Sequence, residues 1–216
     1  MPKCPELSRL PRLHTLPRSL NFKHTTRGSL SPYLGSPLPT RILDPSHPAA
    51  SIPRNKVLSS FPFTRADGFH LRAIPKALLY KPEVPYPDPP YGPAKKDPRK
   101  VDVSLLKIVA KRSVHKSAVI RTKVSIKFKT AMSLIVTRGA DAETDKKGRT
   151  KLVFRSGDAG KDRWTLEADW TYLAILNLEL YRMPYTQLIP DLRRALTLIK
   201  TRAEKLNAQW QQQRAS

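Results

Sequence analysis

The pattern of apolar and polar positions changes character near residue 100. Val103–Ala110 is an apolar run interrupted by Ser104 and Lys107, the pattern of a buried strand. Lys151–Arg155 predicts a second strand, after a polar, charge-rich turn from Asp141 to Thr150. Trp170–Leu176 predicts a third, and its bulky and branched residues suit the centre of a sheet. Thr186–Trp210 reads as a helix, because Leu188, Leu192, Ala195, Ile199, Ala203, Leu206 and Trp210 recur three or four residues apart. Arg193, Arg194, Lys200 and Lys205 fall on its opposite face. Pro190 belongs near the start of that helix, where first-turn amides have no intrahelical partner, so Thr186 or Ile189 is the expected cap.

Two periods compete between Ser117 and Arg138. Ile120, Val124, Phe128, Ala131 and Ile135 share one helical face. Yet Lys123-Val-Ser-Ile-Lys-Phe-Lys129 alternates polar and apolar as a strand would, and its β-branched residues agree with that. Periodicity alone puts the helix slightly ahead.

Nineteen of the 21 prolines precede residue 100, so the core should form mainly after it. The run from Pro82 to Pro93 predicts an extended segment without a core of its own. Ala77-Leu-Leu-Tyr80 is a short apolar run that fits a strand joined to the domain through this loop. The expected organisation is a basic, Pro-rich, largely disordered extension over residues 1–75 and a folded domain over 76–206, then a tail at 207–216. Within the domain, 82–100 is a Pro-rich loop and 141–168 a polar insertion that suits an added strand or a partner-binding loop.

Charge narrows the class of partner. A formal net charge of +23 with only 17 acidic residues attracts polyanions, and the usual polyanion is nucleic acid. The longest apolar stretches, such as Tyr172–Leu176, fall far short of the roughly 20 residues a membrane helix needs, which excludes a spanning helix. Cys4 is the one cysteine, and His14, His24, His47, His70 and His115 are scattered, so neither an intrachain disulfide nor a metal centre is expected. The first 43 residues hold one acid, Glu6, beside seven Lys or Arg and many Ser and Thr. That is the composition of a mitochondrial transit peptide, although Pro2, Pro5, Pro11 and Pro17 interrupt any long amphipathic helix. A disordered basic tail that grips RNA is the alternative.

The basic residues concentrate between Val103 and Arg138, where nine Lys or Arg occur without an acid. Lys111, Arg112, Lys116, Arg121, Lys123, Lys127 and Lys129 fall within nineteen residues, a density that repels itself unless a polyanion compensates. His115 sits inside this block with no carboxylate nearby in sequence to orient it, so a phosphate-contacting or simply exposed histidine is expected rather than an acid–base catalyst. No Gly-rich phosphate loop, nucleophile motif or metal-spaced carboxylate pair occurs, and no catalytic residue is assigned. Trp164, Trp170 and Tyr172 have the chemistry to stack on bases, but their strand context favours core packing. Tyr86 and Tyr91 among the prolines suit a proline-reading module or a loop wrapped over a large RNA.

Ile108-Val-Ala-Lys-Arg-Ser-Val-His-Lys-Ser-Ala-Val-Ile-Arg-Thr-Lys123 resembles the signature of the bacterial-type ribonuclease P protein family: a strand ending in Ser-Lys-Lys/Arg, a short turn, then Ala-Val-x-Arg-Asn-Arg opening a basic helix. Lys111, Arg112, Ala118, Val119 and Arg121 carry the match. Asp169–Ile175 followed by Met183–Leu196 is similar to the family's last strand and closing helix.

The resemblance covers roughly residues 76–206 and implies a small α/β sandwich, of a type shared with some ribosomal proteins, with a left-handed strand–helix–strand crossover. It implies that the segment after Ser117 is helical, and that the chain helps a catalytic RNA mature the 5′ ends of precursor transfer RNAs. The protein itself would bind no cofactor; Mg2+ would enter through the RNA. The resemblance nominates Lys111, Arg112, Arg121, Thr122 and Lys123 as RNA contacts, and the charge of the block adds His115, Lys116, Lys127 and Lys129 to the expected set. Departures are visible: Thr122 and Lys123 stand where the family has Asn-Arg, Ser125 and Ile126 where it usually has Lys-Arg, and Phe61–Arg65 with Phe69 only faintly matches its aromatic, basic N-terminal helix. Lysine at 123 keeps charge but loses arginine's bidentate fork. A mitochondrial ribosomal protein holding ribosomal RNA is the rival expectation, with other ribonucleoprotein subunits as further partners; a free RNA chaperone or DNA-compacting protein is the third.

Overall fold

The computed structural model describes residues 42–53, 56–81 and 99–215, together with 7, 10 and 18–22. The transit-peptide motif, apart from those few residues, and the Pro-rich run with Tyr86 and Tyr91 lie outside the described residues. The strands are β1 (Ser19–Asn21), β2 (Phe63–Ala66), β3 (Phe69–Pro75), β4 (Lys100–Asp102), β5 (Leu105–Ile108), β6 (Ala140–Thr144), β7 (Thr150–Phe154) and β8 (Trp170–Leu176). The helices are α1 (Val57–Ser60), α2 (Ala118–Arg138), α3 (Lys161–Trp164), α4 (Glu179–Arg182) and α5 (Tyr185–Ala215). The architecture is mixed α/β.

The core is a four-stranded sheet in the order β2-β3-β8-β5. As its residue types predict, β8 lies inside the sheet, antiparallel to β3 and parallel to β5. Residues directly opposite each other share a face. Phe69, Leu71 and Ala73 of β3 therefore join Leu176, Ala174 and Tyr172 of β8, and all six are buried. Helices α2 and α5 cover this face, and the Phe69 ring meets Phe128 of α2 edge-on at 5.5 Å. Each such fully buried large side chain contributes about 1.5–3 kcal/mol relative to exposure. On the other face, Leu58 of α1 shares a small cavity with His70, Arg72, Leu173 and Ile175.

Between Ser117 and Arg138 the helical period prevails. Val124, Phe128, Ala131 and Ile135 are buried, whereas Ile126, which a strand would have aligned with Val124 and Phe128, is 57% exposed. Gly139 ends α2 in the left-handed region at φ 59°, and its N–H returns to the Ile135 carbonyl.

Several sequence expectations are corrected. The folded region does not begin at residue 76: β2 and β3 are integral to the sheet, and Ile42, Ala49, Val57 and Phe61 are buried. Ala77–Tyr80 is not a strand; Lys76–Leu78 forms a 3-10 turn and Tyr80 makes a single bridge to Ile42, because the pairing edge of β8 is already occupied by β3. Nor does Thr186 or Ile189 cap the closing helix. The Pro184 carbonyl accepts from Gln187 and Leu188 at 3.2 and 3.0 Å, so α5 starts at Tyr185 and carries Pro190 inside it. The expected tail is helical as well, and Trp210 stacks on Trp170 at 5.6 Å with the rings 9° from parallel.

The polar insertion is folded onto the core. β6 and β7 pair as a hairpin, and Arg193, expected on the polar face of the closing helix, instead reaches into the insertion. Its guanidinium donates to the Ala140 carbonyl at 2.9 Å and to Asp158 at 2.7 Å, and lies 4.6 Å from the Trp164 ring centre. The Arg193 hydrogen bond holds the Asp158 carboxyl below its ordinary value. Trp164 donates its indole N–H to the Asp158 carbonyl, and the buried Tyr172 hydroxyl donates to the Trp164 carbonyl at 2.8 Å. Trp164, Trp170 and Tyr172 are thus core residues, each at most 2% exposed. Among the described residues no helix is long and apolar enough to cross a membrane.

A Cβ at Gly139 would lie 2.0 Å from the Arg155 carbonyl oxygen, whereas one at Gly148, also left-handed at φ 72°, meets nothing within 4 Å. Gly139→Ala should therefore cost clearly more than the ~1–2 kcal/mol of left-handed strain alone, and Gly148→Ala about that amount. Denaturant unfolding of both variants measures the difference.

Candidate nucleic-acid interface

The basic block occupies two elements. Residues 109–117 form the turn that leaves β5, and the remainder lies on the first three turns of α2. Val114 anchors the turn: it is 4% exposed, and its N–H bonds to the Ala110 carbonyl at 3.0 Å. Lys111, Arg112, His115 and Lys116 are exposed around that anchor. His115 is committed locally, its Nδ1 accepting from the Ser117 N–H at 3.0 Å.

Helix α2 does not present its cations on one face. Arg121, Ser125 and Lys129 follow one another at four-residue spacing along the flank next to β5. Lys123 and Lys127 line the other flank, next to α4. Exposed Val119, Thr122 and Ile126 separate the two rows.

Several of these cations also serve the fold. Arg121 donates from one terminal nitrogen to the carbonyls of His115 and Lys116, at 2.9 and 2.7 Å, which ties the turn to the helix. Its remaining N–H groups can still serve a ligand, since a guanidinium has five. Lys127 donates to the Tyr181 carbonyl at 3.0 Å and lies 5.6 Å from the Tyr185 ring centre. Lys129 lies 5.3 Å from the Phe22 ring centre.

Lys107 reads in the sequence as a break in an apolar run. It stands opposite Ala174, on the side of the edge strand β5 that faces α2, and its amine donates to the Ser125 hydroxyl at 2.6 Å. Burial, and then the neighbouring Lys129 amine, lower its pKa to about 8. The signal was present in Leu105-Leu-Lys-Ile108, where a lysine shares the inward face with Leu105.

The second sheet face carries a smaller cluster that the sequence also hid. Arg72 sits 4.7 Å over the ring of Phe63, which is 37% exposed, and one Arg72 N–H is buried with no acceptor among the described residues. His70 meets Phe63 edge-on at 5.9 Å, with its pKa lowered by burial and then by Arg65. Of the faint aromatic candidates, Phe61 and Phe69 are buried in the core and Phe63 alone reaches the surface.

Among the described residues no three His, Cys, Asp or Glu side chains come together as metal ligands would. No protein-family model, curated protein or solved structure matches this chain.

If Arg121 clasps the turn, Arg121→Ala removes two charge-assisted hydrogen bonds on the surface. Local opening of residues 113–117 should become easier by about 1 kcal/mol while global stability changes little. Faster amide exchange confined to that segment is the expected readout.

Proposed function

We propose that this chain is an RNA-binding subunit of a ribonuclease P-type ribonucleoprotein, holding a catalytic RNA and its transfer-RNA precursor. One observation carries the reading. A parallel strand pair, β5 and β8, brackets the turn and helix in which seven cations crowd without an acid. The order strand, basic turn, basic helix, strand, closing helix is the one the family resemblance implies. Part of the proposal is that the β5–α2–β8 crossover is left-handed and the whole a small sandwich. Parallel connections are otherwise right-handed in almost every case, so handedness is a demanding criterion.

In this reading Lys111, Arg112, Lys116 and Lys123 contact phosphates, His115 and Thr122 offer hydrogen bonds beside them, and Lys127, Lys129 and Arg121 add charge while bracing the fold. Phe63 with Arg72 is the aromatic and cationic pair suited to a single-stranded leader. Catalysis would belong to the RNA and its Mg2+, and import into mitochondria would rest on the basic N-terminal segment. The use of Arg121 and Lys127 inside the fold, with Thr122 and Lys123 in place of the family's Asn-Arg, favours a second reading: a ribosomal protein holding mitochondrial ribosomal RNA.

The two readings separate on which RNA co-purifies with the native protein. A ribonuclease P RNA and precursor transfer RNA are expected; ribosomal RNA with ribosomal proteins alone would overturn the first reading. RNA affinity should fall steeply with salt as counterions are released. Arg121→Ala combined with Lys123→Ala should weaken binding by about 1–3 kcal/mol at moderate salt, which filter binding or anisotropy measures.

A further inference from the structure

We propose that Lys107, Ser125 and Lys129 form a phosphate-binding subsite between the edge strand β5 and helix α2, taking one backbone phosphodiester of the bound RNA. This rests on the RNA-binding reading above and adds to it a residue from the sheet itself.

The geometry is specific. The Lys107 amine is held by Ser125 at 2.6 Å, and Lys129 lies one helical turn beyond Ser125 on the same flank. Two ammonium groups and a hydroxyl thus converge from two elements of fixed relative position. The hydroxyl, which accepts from Lys107, keeps its own proton to donate to an anionic oxygen. The Phe22 ring near Lys129 gives the site an apolar wall.

A structural role explains part of this. An inward-pointing lysine on an edge strand discourages edge-to-edge pairing, and that alone would account for Lys107. It does not account for Lys129 standing close enough to repel it. No carboxylate among the described residues is a cause of the Lys107 shift, which burial and Lys129 produce together. Burying a cation costs free energy unless a partner compensates, and two adjacent cations raise that cost. A phosphate seated between them would reverse both effects, because it favours the charged form of each amine. Folding therefore holds the subsite in a state that an anion stabilises.

The linkage has a definite sign. Below about pH 8 Lys107 is charged and its burial opposes folding; as pH rises above that value toward the ordinary 10.5, the amine becomes neutral and the opposition disappears. Phosphate binding runs the other way, since it needs the charged amine. Beside Lys129 on α2, the nearest cation along the same flank is Arg121, and β8 places Ala174 opposite Lys107.

The test uses the full chain with two probes, a short single-stranded RNA and inorganic phosphate. Lys107→Gln, Lys129→Gln and the double variant are compared, the half-buried helix position Lys129→Gln serving if loss of Lys107 disturbs folding. The double variant should bind RNA about tenfold more weakly at moderate salt, and the slope of log affinity against log salt should fall by about 0.7, the value for a single phosphate of a single strand. Unchanged affinity and slope in the double variant, while Arg121→Ala with Lys123→Ala still weakens binding, would overturn the subsite and leave the RNA-binding reading intact. If the wild-type chain binds no RNA, but phosphate shifts the ε-carbon resonances of Lys107 and Lys129 together, the subsite stands as an anion site, its RNA occupant is overturned and the RNA-binding reading falls. No response to either probe removes both.

Discussion

Adjacent parallel strands cannot be joined by a tight turn, and the pairing of β5 with β8 is the constraint on which this molecule is organised. The chain must return along the sheet between them, and α2 makes most of that return. Its apolar stripe of Val124, Phe128, Ala131 and Ile135 is consumed by the sheet and α5. Everything polar in its sequence must then project from the flanks and crest. A basic segment used as a crossover is thereby spread over a rigid rod beside the sheet edge, with its exposed turn fixed at one end by Val114 and Arg121.

Acidic residues are segregated from that rod. None lies between Val103 and Ala140, whereas Asp141, Glu143 and Asp158 all occur in the insertion, paired with Arg155, Arg163 and Arg193. The exposed pairs contribute little, typically under about 1 kcal/mol each. Arg193 differs because its side chain is only 12% exposed and also satisfies backbone carbonyls where α2 passes into β6. Asp141 and Asp158 thus help dock the insertion to α5 through Arg193.

Strong local periodicity was legible in the sequence. β8 matches its expected bounds residue for residue, β7 and β5 are found within a residue or two, and the apolar stripe of α2 is the one its spacing predicts. β2 and β3 were hidden by the prolines around them, although Phe69-His-Leu-Arg-Ala73 alternates strictly and Asp67-Gly68 is a hairpin turn signal. Pro75 is tolerated because it closes the strand, where a missing donor costs least. The site was less legible than the fold for a physical reason. Charge density in a sequence says how many cations are near one another, but the phase of the helix decides which flank each one joins. Lys107 lay outside the dense block and enters the site through tertiary packing alone.

Those two levels bear differently on function. A cation already bonded to a carbonyl, as Arg121 and Lys127 are, must share its donors with any phosphate it meets, and its net contribution to binding is reduced by what the fold already takes. A cation held against another cation is in the opposite position, since a ligand relieves a cost that folding alone leaves in place. Affinity should therefore not follow the count of basic residues in the block. It should be weighted toward positions where the fold has concentrated charge without compensation, and in the described structure that points to the seam between β5 and α2 more than to its signature-like arginine.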